Sequence, residues 1–132
     1  MAGDGRRVLI VDDEPVLCHM LETFLSQAGW ICLLAEEPEG ALRLLSDELV
    51  THAIIDLRLG SHSGYDLIRA VASRRPEVRI VAITGSVIEG PPAALAAGAA
   101  VVMSKPFSPL RLLLDALEGK IADGNSPTEP ER

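Results

Sequence analysis

Aromatic side chains are almost missing from this sequence: one Trp, one Tyr and two Phe among 132 residues. A core built without them has to be aliphatic, from Leu, Val, Ile and Ala, and 48% of the residues are hydrophobic. Positive charge is also short. Twelve Lys and Arg stand against nineteen Asp and Glu, for a net charge of −7. A surface of that sign argues against broad binding to nucleic-acid phosphates and suits a protein that meets other proteins or a metal cation. Cysteine is scarce, Cys18 and Cys32, and there is no Cys/His cluster of the kind that holds zinc. Both cysteines read as buried thiols of a reducing cytoplasm. No apolar stretch reaches the length needed to span a bilayer, and the polar start of the chain lacks the pattern of a secretory signal. The length suits one domain with one core.

What is present is a repeated alternation. Val8–Val11 is a β-branched run without polar alternation, the mark of a strand buried on both faces. Pro15 opens a helix that runs to about Ala28, with Leu17, Leu21, Phe24 and Leu25 on one face, and Gly29 ends it. Trp30–Ala35 reads as a second strand and Glu37–Asp47 as a second helix with Ala41, Leu44 and Leu45 inward. Ala53–Leu57 is the third strand, 60–64 a Gly/Ser loop, and Tyr65–Arg75 a third helix closed by Pro76. Val78–Ile83 is the fourth strand. Gly90-Pro91-Pro92 leaves room only for a short Ala-rich helix at 92–97. Val101–Met103 is the fifth strand, and Ser108 caps a last helix over about 109–121 with Leu112, Leu113 and Leu117 apolar. Residues 1–6 form a lead-in, 7–121 a single domain, and 122–132 a polar, Pro-containing tail expected to be disordered. The order is α/β, (βα)5, which implies a doubly wound five-stranded parallel sheet with helices on both faces.

In such sheets ligands bind outside the carboxyl ends of the strands. The polar residues of interest all stand at those ends: Asp12 and Asp13 after the first, Asp56 at the third, Thr84 at the fourth, Lys105 after the fifth. Three carboxylates gathered there repel, each close pair by about 4 kcal/mol at an effective dielectric near 20. A Lys relieves part of that repulsion and a hard divalent cation relieves more. An all-oxygen ligand set, few in number and open to a phosphoryl group, favours Mg2+ over an enclosed Ca2+ site. Such a cation would screen the approach of an anionic phosphoryl group to an anionic nucleophile. The Thr84 hydroxyl and the Lys105 ammonium suit phosphoryl oxygens.

The segments VLIVDDEP, IIDLRLGSHSG, ITGS and GAAVVMSKPF, in that order and spacing, resemble the receiver domain of two-component response regulators over about residues 7–121. The resemblance implies the flavodoxin-like receiver fold. It implies that Asp56 is the phosphoacceptor, taking a phosphoryl group from a histidine kinase or a histidine phosphotransfer protein. Asp13 would ligate Mg2+ directly, Asp12 mainly through water, and Arg58 through its backbone carbonyl. Thr84 would turn toward the phosphoryl group and Lys105 would pair with it. Arg58 and Ser86 would tune its lifetime, and Pro106 would carry a cis bond. The implied protein is a cytoplasmic switch, catalytic only toward its own Asp56, a monomer or a phosphorylation-dependent dimer, with a protein target and no direct nucleic-acid contact.

Three departures bear on the output side. Receivers often carry Tyr or Phe three residues before the Lys, where this chain has Val102, which has no ring to rotate and a stiff χ1. Gly60 stands where a Pro is common, which predicts a looser loop. The Gly-Pro-Pro step disturbs the start of the fourth helix. These departures keep open a non-phosphorylated, receiver-like interaction module. A flavodoxin-like cofactor binder shares the topology, but DDEP after the first strand would repel a phosphate. Glu14 reads as a bystander in the first helical turn, where an acid suits the dipole. His19, His52 and His62 show no metal-ligand spacing.

Overall fold

The structure is a computed structural model and describes residues 6–47, 49–85, 91–105, 110–120 and 124–125. In chain order the first half holds β1 (Arg7–Val11), α1 (Pro15–Gln27), β2 (Ile31–Ala35), α2 (Pro38–Leu44) and β3 (Val50–Asp56). A two-strand hairpin follows, β4 (Arg58–Leu59) and β5 (His62–Ser63), and leads into α3 (Gly64–Arg74). The second half holds β6 (Arg79–Thr84), α4 (Pro91–Ala97), β7 (Val101–Ser104), α5 (Arg111–Leu117) and β8 (Gly124–Asn125).

The strands pair in parallel in the order β2-β1-β3-β6-β7-β8. The first five are the expected strands, each joined to the next by a helix, as parallel pairing requires. Their lack of polar alternation follows from burial on both faces. Leu9, Val11, Ala53, Ile55, Ile80, Ala82 and Val102 pack into one cluster with Ala41, Leu67, Ile68, Val71 and Ala94 of α2, α3 and α4. Their strand neighbours Val8, Ile10, Ile54, Val81, Ile83, Val101 and Met103 pack on the other side with Cys18, Leu21, Leu25, Leu113 and Leu117 of α1 and α5. Successive side chains go to opposite layers, so the middle of a strand between two helical layers is apolar on both faces.

The helix ends follow local chemistry. Pro15 is the first residue of α1. After Gln27 the Gly29 and Trp30 amides donate to the Ser26 and Leu25 carbonyls, the closing motif that a glycine at φ 98° permits. Of the expected inward face, Leu21 and Leu25 are buried while Leu17 and Phe24 are half-buried. α2 is shorter than expected, stopping at Leu44, with the buried Leu45 at its C-cap. α5 spans Arg111–Leu117 within the expected helix. Ser86, Gly90, Pro106 and Ser108 lie outside the described residues.

Two expectations need correction. The loop after Asp56 is not slack: Arg58 pairs with Ser63 and Leu59 with His62 across a tight turn. Gly60 sits in that turn at φ +60°, a value a proline ring forbids, so the missing Pro is replaced by a different turn. The tail is not wholly without structure either. Gly124 and Asn125 pair with Val101 and Val102 at the β7 edge of the sheet.

Far from the carboxyl ends, at the start of β3, His52 is buried edge-on against Trp30 with ring centroids 4.7 Å apart. The Arg6 guanidinium lies over the Trp30 ring at 4.8 Å. No helix among the described residues is long and apolar enough to cross a membrane.

Candidate functional site

Parallel strands end on one edge, and that edge collects the predicted residues. Asp12 and Asp13 follow β1, Asp56 is the last residue of β3, Thr84 is the last of β6, and Lys105 follows β7. β1 lies between β2 and β3, so the winding reverses between β1 and β3. A crevice opens at such a point. Here it is a cleft of about 410 Å³ lined by Asp13, Glu14, Asp56, Arg58, Thr84 and Lys105, among others.

One carboxylate oxygen from each of Asp12, Asp13 and Asp56 lies within 4.8 Å of the others. Asp12 is fully buried, Asp56 nearly so, and Asp13 is exposed. The Lys105 ammonium sits among them, 2.8 Å from Asp56 Oδ2, 3.1 Å from Asp12 Oδ2 and 3.1 Å from Glu14 Oε1. The other Asp56 oxygen accepts from the Arg58 amide at 3.0 Å, and Asp12 Oδ1 accepts from the Glu14 amide at 2.9 Å. Asp56 is thereby fixed by two donors with its carboxylate facing the cleft. Thr84 is buried at the cleft wall, and its carbonyl accepts from the Lys105 amide at 2.7 Å.

Burial pushes the Asp12 carboxyl up to about 6; the negative charge of Asp56 adds to that rise, and the Glu14 amide and Lys105 hold it back. For Lys105, burial is the largest single influence and acts downward. The hydrogen bond and charge of Asp56, with Asp12 and Glu14, outweigh it, so the ammonium is held above its ordinary range and stays charged.

The surroundings explain the placement. Gly64 opens α3 directly against the end of β3, and its amide donates to the Leu57 carbonyl at 2.9 Å. A Cβ at Gly64 would fall 2.6 Å from Leu57 Cα and 2.9 Å from the Asp56 carbonyl carbon, so only glycine lets the helix approach the acceptor strand this closely. The Cys18 thiol donates to the Asp12 carbonyl at 3.2 Å and ties α1 to the end of β1. Glu14 is the residue the sequence reading misplaced. It precedes α1 at the N-cap without capping it, and its side chain hydrogen-bonds Lys105. The expectation of a bystander rested on helix-dipole reasoning, and nothing local signals a contact with a residue 91 positions away. His19 and His62 are exposed, His52 lies at the start of β3, and none joins the acidic cluster.

The cluster fits a divalent cation. Asp12 Oδ2 is buried and accepts no hydrogen bond, although Lys105 is near enough to ion-pair. An oxygen in that state lacks a partner that a metal would supply. Three carboxylates with no sulfur or nitrogen donor suit a hard cation.

The model of the response regulator receiver domain matches residues 8–117. The photosynthetic apparatus regulatory protein RegA of Rhodobacter capsulatus is 33% identical over 105 residues, 79% of this chain and 57% of its own length. The transcriptional regulatory protein GltR of Pseudomonas aeruginosa is 34% identical over 116 residues, 86% of this chain and 48% of its own. The chain spans about half the length of these curated relatives. Among solved structures, a response regulator protein from Burkholderia pseudomallei with a phosphorylated aspartic acid, a calcium ion and citrate superimposes with a TM-score of 0.79. Its identity is 30%, over 85% of this chain and 66% of that one.

Proposed function

This chain belongs to the response regulator receiver domain family, and from that premise we propose that Asp56 is its phosphoacceptor and that residues 7–121 make up the receiver. The observation that carries the reading is the Asp56 carboxylate itself: it is almost buried, aimed into an open cleft, and held by Lys105 and the Arg58 amide beside two further acids.

The transfer runs as follows. A histidine kinase or phosphotransfer protein presents a phosphohistidine at the cleft. An Asp56 carboxylate oxygen attacks phosphorus, the P–N bond breaks with its electron pair on the donor imidazole, and an aspartyl phosphate forms. Asp12, Asp13, Asp56 and the Arg58 backbone carbonyl would hold Mg2+, which supplies positive charge against the phosphoryl oxygens. Lys105 exchanges Asp12 and Asp56 for the new anion, and the Thr84 hydroxyl donates to it. Arg58 and Ser86 tune the lifetime of the phosphoryl group.

Receiver domains are non-enzymatic signalling modules, and the only chemistry proposed here is toward the chain's own Asp56. The switch is a shift between two conformations, sized by the differential stability of the phosphorylated pocket in each. Val102 is buried against the α3 and α4 layer, so its aliphatic side chain alters the readout and not the acceptance of the phosphoryl group. The proposed setting is the cytoplasm, with a kinase as donor and a protein as target.

The test is intact-mass analysis after incubation with acetyl phosphate and Mg2+. One phosphoryl group is expected on the wild type and none on Asp56→Asn. An unmodified wild type would overturn the reading, and an Asp56→Asn chain labelled to the same extent would move the acceptor elsewhere.

A further inference from the structure

Lys105 has three carboxylate neighbours, and they are not equivalent. Asp12 and Asp56 belong, with Asp13, to the acid cluster, whereas Glu14 does not. Glu14 also differs in burial: its side chain is 63% exposed, while those of Asp12 and Asp56 are 0% and 6% exposed. Its backbone is not free to drift, because the Glu14 amide is bonded to Asp12 Oδ1 at 2.9 Å. The Glu14 carboxylate is thus an anion fixed at the rim, hydrogen-bonded to the ammonium that occupies the centre.

A divalent cation and an ammonium compete for the same oxygens. Once a cation takes Asp12 and Asp56, Lys105 faces a doubly charged neighbour, and Glu14 is the partner it keeps. We infer that Glu14 is a positioning residue: it retains the Lys105 ammonium when the metal takes Asp12 and Asp56 and holds it at the cleft rim, within reach of the phosphoryl group that follows. This rests on the proposed receiver chemistry and deepens it by assigning a residue that controls the exchange between the built-in cation and the bound one.

Two mechanisms would make Glu14 matter for metal binding, and they separate cleanly. A carboxylate at the rim raises cation affinity through its field alone, whatever occupies position 105. An anion that retains Lys105 matters only while Lys105 is there. The experiment is a double-mutant cycle on Mg2+ affinity, read by calorimetry and by amide shifts of Gly60 and Gly85, with wild type, Glu14→Gln, Lys105→Met and the double variant. Glu14→Gln is expected to weaken Mg2+ binding about threefold more in the Lys105 background than in the Met background, within the range of an exposed, well-oriented ion pair. Glu14→Asp, one methylene shorter, is expected to recover only part of the loss. The unfolding midpoint without metal is expected to be unchanged in Glu14→Gln, since the side chain is exposed.

Equal effects in the two backgrounds would show a field and overturn the inference, as would a Glu14→Gln affinity equal to the wild type. A wild type that binds no Mg2+ would defeat the metal reading itself. Loss of phosphorylation at Asp56 with the coupling intact would defeat the proposed function and leave this inference standing.

Discussion

Alanine in place of glycine at two helical positions of this chain is expected to act in opposite directions. Gly40 lies inside α2 and Gly64 opens α3. Helix propensity favours Ala over Gly by up to about 1 kcal/mol in an interior position. At Gly40 an added Cβ meets only the Ala35 methyl at 3.9 Å, an ordinary contact, so Gly40→Ala is expected to stabilise by about 0.5–1 kcal/mol. At Gly64 the same carbon falls 2.6 Å from Leu57 Cα and 2.9 Å from the Asp56 carbonyl carbon. These are backbone atoms of the segment that carries the acceptor, so no rotamer change relieves the overlap. Either α3 retreats or the end of β3 does. Overpacking of that kind costs about 1–3 kcal/mol, and stretching the Gly64 amide bond to Leu57 adds about 1 kcal/mol. Gly64→Ala is therefore expected to destabilise by about 2–4 kcal/mol. Urea unfolding of both variants measures this as a shift in midpoint at unchanged slope. Mg2+ affinity is the second readout, and it should fall in Gly64→Ala because Asp56 moves. A Gly64→Ala protein with wild-type midpoint and wild-type metal affinity would show that the close approach of α3 does not hold the acceptor in place.

Burial, with the charges of Arg6 and Arg79, holds His52 at about 4, below its ordinary 6.5. The unfolded chain then takes up a proton that the fold refuses. The corresponding stability is present above pH 6.5 and is lost as pH falls toward 4, by about 2 kcal/mol between pH 7 and pH 5. A His52→Gln protein should show a flatter profile by urea unfolding across that interval, and an unaltered slope would mean that His52 is not the group responsible. Lys105→Met leaves Asp12 and Asp56 buried without their cation, so the metal-free protein should lose about 2 kcal/mol. Added Mg2+ should recover stability and bind more tightly than in the wild type, and weaker binding would contradict the competition described above. Val102 is 2% exposed and shares its cluster with Ala94, Ala97 and Ala99. Val102→Tyr is therefore expected to cost about 1–3 kcal/mol in thermal unfolding, and a neutral outcome would reveal unfilled space beside β7.

The legible parts of the molecule were those governed by short-range rules. A strand between two helical layers is apolar through its middle, so β1, β6, β7 and the Ala53–Ile55 stretch of β3 could be read from their unbroken apolar runs, whereas the start of β3 at Thr51 and His52 could not. A parallel sheet delivers its strand ends to one edge, so Asp12, Asp13, Asp56, Thr84 and Lys105 could be assigned to one place from their offsets after those strands. The Gly29 stop was visible because a helix closing in that manner needs a left-handed residue. The Gly60 turn was harder. The absence of a proline predicts slack, whereas a glycine at φ +60° builds a turn of its own.

The sequence by itself determined the layer order of this protein and the edge on which its polar residues gather, because both follow from the two-residue period of a strand and the parallel direction that alternating helices impose. Only the tertiary structure decided that Glu14 reaches Lys105, that α3 can press against Asp56 through Gly64, and that Gly124 and Asn125 join β7. These are contacts between segments distant along the chain or fitted to within a few tenths of an ångström. No local preference encodes them: they depend on how far each helix sinks toward the sheet once both cores are filled.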